Sequence, residues 1–191
     1  ILFYPVQFEG LEQSPNVFYL GACPNQQMLP AIAWCRQTLG KKRFFFVGSD
    51  YIFPRAANAI VRDELQRSNL ELAGEAFIPL GGVELDPYLR QIRDARPDMV
   101  LNFINGDSNV AFLRRLHQCR TRPSELPVLS FSLSEQELLS LVAGQVAGDY
   151  LASGYFQSLP DPANQRFLKS LHERYGEQKV ATDAMATAYA G

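Results

Sequence analysis

Asp107, Tyr51 and Tyr4 are the residues whose types and positions offer chemistry, and that chemistry is hydrogen bonding to a small ligand. Asp107 follows the apolar run Met99-Val100-Leu101-Asn102-Phe103-Ile104 and stands one turn ahead of a helical pattern. A carboxylate so placed can accept from the N–H groups of a neutral ligand, and a buried acceptor left unpaired would penalise ligands without them. The competing reading is that Asp107, or Ser108 beside it, caps the helix, because caps favour these residue types; both readings stay open at this stage. Tyr51 lies at the end of a second apolar run, Phe53 is two residues further on, and Tyr4 precedes Pro5. These aromatics can wall a small pocket, with hydroxyls from Tyr4 and Tyr51, whereas Phe53 reads first as core.

Catalysis has much less behind it. His117 and His172 each stand alone in a helical pattern, away from any Gly-x-Ser-x-Gly elbow or His-rich cluster, so both read as structural or exposed. Neither glycine pattern of the phosphate-binding loops occurs. Cys23, Cys35 and Cys119 show no Cys-x-x-Cys spacing, which argues against a disulfide framework or zinc site and leaves them as buried free thiols. No enzyme, no cofactor and no metal is expected.

The elements that must position these side chains follow from periodicity. Arg43-Phe44-Phe45-Phe46-Val47 lacks polar alternation, as suits a strand buried on both faces of a parallel sheet. Gly48 is expected to end it, Ser49 or Asp50 to cap the helix whose face is Ala57, Ile60, Val61 and Leu65. Further strands are expected at Ile1 to Val6, Val17 to Leu20, Leu72 to Ile78, Asp98 to Ile104, Pro127 to Phe131 and Asp149 to Phe156. Helices alternate with them. Met28 to Leu39 stops at Gly40, Asp86-Pro87 has the form of an N-cap followed by proline, and Ser134-x-x-Glu137 is a capping box opening a helix at Leu138 to Val142. Asp161-Pro162 opens a last helix carrying Phe167, Leu168 and Leu171, which ends at Gly176. A strand–helix period of roughly 25 to 30 residues is the pattern of βαβ units around a parallel sheet, so the fold class is α/β and Rossmann-like. In such sheets small ligands bind at the carboxyl edge, where Tyr51 and Asp107 fall.

A net charge of −2, with Lys and Arg scattered or paired with acids, argues against a nucleic-acid partner. No apolar run approaches the roughly 20 residues that span a bilayer. The chain opens without Met inside an apolar run, so it is expected to continue upstream of Ile1, where any signal sequence would lie.

Five segments in one order, Tyr4-Pro5-Val6-Gln7-Phe8-Glu9-Gly10, Ser14-Pro15-Asn16, Pro24-Asn25-Gln26-Gln27, Gly48 to Arg55 and Asn105 to Phe112, resemble the urea and short-chain-amide binding proteins. These are type I periplasmic binding proteins, related to the branched-chain amino-acid binding group and including a cytoplasmic amide sensor. A looser similarity, with Tyr155-Phe156 and Asp183-Ala184-Met185, continues to the end. The resemblance implies two Rossmann-like lobes that close over a ligand, with the first lobe only partly present. Residues 1–22 would be the remnant of the first lobe and the first crossover, 23–150 the second lobe, and 151–191 the return crossover and part of the first lobe. It implies ligand contacts at Tyr4, Gly21, Ala22, Tyr51, Phe53, Asn105 and Asp107. Phe53 departs from the amide sensor, for which the resemblance implies a tyrosine at this position, and agrees with the urea-transport branch.

The expectation is a solute-binding component of an ABC importer, periplasmic, capturing urea or a short-chain amide and meeting the transporter's membrane subunits. The alternative is an amide- or urea-sensing regulator, cytoplasmic or attached to a signalling protein. Self-association into homo-oligomers is a further expectation, from incompletely covered apolar segments.

Overall fold

In the computed structural model, residues 1–119 and 125–191 are described. Two strands, β1 (Leu2–Tyr4) and β2 (Val17–Tyr19), form a parallel pair of their own. Then come α1 (Met28–Leu39), β3 (Arg43–Ser49), α2 (Ile52–Arg67), β4 (Glu71–Ile78), α3 (Asp86–Ala95), β5 (Met99–Phe103), α4 (Asp107–Cys119), β6 (Val128–Ser130), α5 (Glu135–Leu138), α6 (Ala143–Val146), β7 (Tyr150–Leu151), α7 (Pro162–Tyr175) and α8 (Asp183–Ala190). The main sheet is all parallel, in the order β4-β3-β5-β6-β7.

β3 is central because its sequence can be buried on both sides. Phe44 and Phe46 point into one apolar layer with α1 and α2, against Ile32, Ala57, Val61 and Leu65. Phe45 and Val47 point into the other, with α3 and α4, against Leu89, Ile92, Phe112 and Leu116. Each of the three phenylalanines is at most 2% exposed, so each contributes about 1.5–3 kcal/mol of burial. A smaller cluster around Phe167, Leu171 and Ala181 holds α7 to α8.

Several boundaries differ from the sequence reading, for physical reasons. Gly48 does not end β3. The strand runs on through Ser49, and a Cβ on Gly48 would come within 2.7 Å of Pro54 Cβ, so the glycine serves the close approach of α2. Neither Ser49 nor Asp50 caps α2. Tyr51 holds the N-cap position without a side-chain bond, Ser49 is buried in the strand, and Asp50 pairs with Arg55 at 2.7 Å. Asp86 is the first residue of α3 rather than its cap, and its carboxylate takes Arg115 Nε at 3.1 Å. The Ser134 capping box forms as expected, its hydroxyl accepting from Glu137 N at 3.2 Å, but it opens only the single turn α5 instead of a helix over Leu138 to Val142. The strand expected over Asp149 to Phe156 pairs only at Tyr150 and Leu151.

Gly40 adopts φ 66° as the C-cap of α1, and Asp161 caps α7 by accepting from Ala163 N and Asn164 N, both as read from the sequence. Among the described residues no helix is long and apolar enough to cross a membrane.

Candidate functional site

β3 leads to β4 on one side of it, and β4 leads back across to β5 on the other, so the strand order switches direction between β3 and β5. The two loops leaving their carboxyl ends therefore part and leave a crevice, which is where ligands bind in open α/β sheets. A cavity of about 550 Å³ opens there. Tyr51, Ile52 and Phe53 come to it from the β3–α2 turn, Asn105 from the β5–α4 turn, and Phe131 to Glu135 from the loop after β6. Leu151, Ser153 and Tyr155 reach it from β7 and beyond, and Thr182 to Ala184 from the start of α8. The segment after β1 closes it with Tyr4 to Gln7 and Glu9.

The cavity thus gathers Tyr4, Tyr51, Phe53 and Asn105 from the residues singled out in the sequence. It does not gather the other three. Asp107 is exposed in the first turn of α4, because Gly106, at φ 68°, turns the chain between Asn105 and Asp107. Its neighbour Ser108 is buried, its hydroxyl without a hydrogen-bond partner, so it does not cap α4. Gly21 and Ala22 pack against the chain leaving β1: Ala22 O accepts from Phe8 N at 3.2 Å, and a Cβ on Gly21 would fall 1.9 Å from Val6 O.

A buried polar network fixes the floor. Asn102 Nδ2 donates to Asn109 Oδ1 at 2.8 Å and to Ser130 Oγ at 3.1 Å, while Asn102 Oδ1 accepts from Ile104 N at 3.0 Å. Asn105 N donates to Ser49 Oγ at 3.0 Å, tying the two loops that flank the switch point. Gln27 Nε2 donates to Phe131 O and Ala152 O, joining α1 to the ends of β6 and β7. Nothing in the periodicity marks Asn102, Asn109 or Ser130; a polar residue inside an otherwise apolar strand is the one signal that could have found Asn102.

Much of the lining is apolar, from Val6, Ile52, Phe53, Phe131, Leu133 and Leu151, and its ionisable groups are acidic and phenolic. Glu9, Glu135 and Asp183 contribute carboxyls, Tyr4, Tyr51 and Tyr155 hydroxyls, and no Lys, Arg or His is among them. Burial raises the Glu9 carboxyl above its ordinary range, helped by its hydrogen bond with Glu12. Burial likewise raises Asp183, against the hydrogen bonds it accepts from Ser153, the Gly154 backbone and Thr187. The Tyr51 phenol is raised by burial and then by Glu9 and Tyr4, so near neutral pH it is a protonated donor. Tyr155 Oη is engaged, donating to Asn164 Oδ1 at 2.7 Å, and Glu135 Oε2 accepts from Gln157 N at 2.8 Å. Among the described residues no group of His, Cys, Asp and Glu is placed to hold a metal ion.

An α/β lobe with a cavity at its switch point has the form of a ligand-binding lobe. The chain belongs to the periplasmic binding protein domain family, whose pattern matches residues 1–191. It is similar in structure to an amino-acid ABC transporter substrate-binding protein from Pseudomonas fluorescens Pf-5, with a TM-score of 0.84 and 20% identity over 98% of this chain and 51% of that one. It is similar also to an ABC transporter solute-binding protein from R. palustris in complex with benzoate, with a TM-score of 0.79 and 18% identity over 93% of this chain and 48% of that one. The chain therefore spans about half the length of these relatives. A 45-residue stretch, 24% of this chain, is 44% identical to 8% of a limonene hydroxylase from Geobacillus stearothermophilus. The fold is that of part of a type I periplasmic binding protein.

Proposed function

We propose that this chain is the greater part of one lobe of a periplasmic solute-binding protein that delivers urea or a short-chain amide to the membrane subunits of an ABC importer, by binding and not by catalysis. The observation that carries the reading is the lining of the switch-point cavity, three carboxyls and three phenols with no basic side chain. Such a surface accepts hydrogen bonds from N–H groups and repels carboxylates, because an anion desolvated among acids has nothing to offset its charge. Urea and primary amides bring paired N–H donors and one carbonyl. Asn105 and the Tyr51 hydroxyl are donors suited to that carbonyl. Lobe closure would then follow ligand in proportion to the ligand's preference for the closed form.

Residues 1–22, 23–150 and 151–191 serve in this reading as first-lobe remnant with the first crossover, second lobe, and return crossover with part of the first lobe. A thermal-shift series on the full-length protein tests it. Millimolar acetamide or urea, at about a hundred times the dissociation constant, should stabilise by about 2.7 kcal/mol and raise the melting temperature by several degrees. Acetate and leucine should leave it unmoved. A shift with either of those two and none with the amides would refute the proposal.

A further inference from the structure

At the opposite edge of the sheet lies a second cavity, of about 440 Å³, and its chemistry is the reverse of the first. It sits where Arg96 and Pro97 lead into β5 and where Glu125 and Leu126 lead into β6, with α3 and α4 forming the walls. Four exposed arginines line it, Arg90, Arg93, Arg96 and Arg115, with the acids Asp86 and Glu125. Beneath them is an apolar floor that includes Leu89, Ile92 and Leu116, all buried.

The cations are arranged against their own repulsion. Arg90 and Arg93 are one turn apart on α3, where like charges destabilise a helix. Arg96 ends that helix at φ 47°, in the left-handed region that a non-glycine residue enters at a cost. Asp86 is shared: Arg115 hydrogen-bonds it and lowers its carboxyl most, and Arg90 lowers it further. Among the described residues the Arg93 side chain meets Asp94, at 3.4 Å, and no side-chain hydrogen bond or ion pair falls to Arg96, whose backbone N–H donates to Arg93 O.

We infer that this arginine-lined cavity between α3 and α4 is a binding site for an organic phosphate, a phosphate monoester whose apolar group rests on the leucine and isoleucine floor. Guanidinium forks match phosphate oxygens, and four around one cavity offer more donors than the carboxylates of Asp86 and Glu125 can accept. An apolar floor with a few charged groups at its rim is the form of a small-molecule site. The site is separate from the switch-point cavity and does not rest on the ligand assigned there.

Calorimetric titration of the full-length protein with phenyl phosphate tests it, with inorganic phosphate and benzoate titrated in parallel. Phenyl phosphate should bind at submillimolar concentration and weaken as salt screens the guanidinium groups. Inorganic phosphate, without the ring, and benzoate, without the third oxygen, should each bind several-fold more weakly. Arg90→Gln with Arg96→Gln should weaken phenyl phosphate by about tenfold or more. Arg96→Gly is the second variant: glycine suits the left-handed backbone there, so it should melt no lower than the parent while binding phenyl phosphate more weakly. No heat from phenyl phosphate up to about 10 mM, equal affinity in the parent and Arg96→Gly, or benzoate binding as tightly as phenyl phosphate would each overturn the assignment.

Discussion

Tyr51 is the residue on which the ligand reading bears most directly. It stands at the N-cap position of α2 beside the carboxyl end of β3, and Glu9 and Tyr4 lie near enough to raise its phenol. Removing its hydroxyl should therefore cost one hydrogen bond. Tyr51→Phe is expected to weaken acetamide binding by about tenfold with an unchanged melting temperature, read by calorimetry and a thermal melt. Asp107 contrasts with it. The carboxylate expected from the sequence to face the ligand is exposed beyond Gly106, whereas Asp183 brings its carboxyl to the cavity from the far end of the chain. Asp107→Asn is accordingly expected to change amide affinity less than twofold, since asparagine also serves near a helix start. Asp183 carries a pH signature as well. Burial raises its pKa, so the folded chain holds that proton more tightly than the unfolded one. Its ionised form then costs stability above the raised pKa, and the cost vanishes as pH falls toward about 4. Any advantage in melting temperature of Asp183→Asn over the parent should shrink between pH 7 and pH 4; an advantage that grows with acid would contradict the assignment.

At the scale of elements, strands and their order were legible because the signals are local. The unbroken Phe44-Phe45-Phe46-Val47 run could only be a doubly buried strand, and Gly40, Asp161 and Ser134 mark their helix ends by chemistry that acts within one turn. What the sequence concealed is tertiary. Gly48 reads as a breaker yet continues β3, because its missing Cβ makes room for Pro54 from the next element. Gly21 and Ala22, which the resemblance puts at the ligand, are not among the residues that line the cavity. Asp183 is 76 residues beyond Asp107 in sequence, and no spacing rule joins it to Tyr51. Gly48→Ala should thus overpack the β3–α2 junction and lower stability by about 1–3 kcal/mol in denaturant titration, with no change in ligand preference. Buried Cys35, with its thiol pushed up to about 11 by burial and its Sγ 3.4 Å from Met99 Sδ, should resist thiol reagents in the native protein. Exposed Cys119 should react at once, and reaction of Cys35 should require unfolding.

Across the whole molecule, opposed chemistries lie at opposite edges of one sheet, an acidic cavity at the carboxyl ends and an arginine-lined one near the starts of β5 and β6. The small β1–β2 sheet is poorly covered: Leu2, Phe3 and Phe18 are each more than half exposed. The 191-residue chain prepared alone should therefore self-associate in light scattering, and Phe3→Ser with Phe18→Ser should reduce that association. The central claim is that the switch-point cavity selects N–H donors over anions. Calorimetry of the full-length protein at neutral pH and physiological salt, comparing acetamide with benzoate, tests it most directly. Saturable binding of acetamide with a dissociation constant at least about a hundredfold below that of benzoate, a difference of about 2.7 kcal/mol, is the predicted result. Benzoate binding as tightly as acetamide, or more tightly, would contradict it.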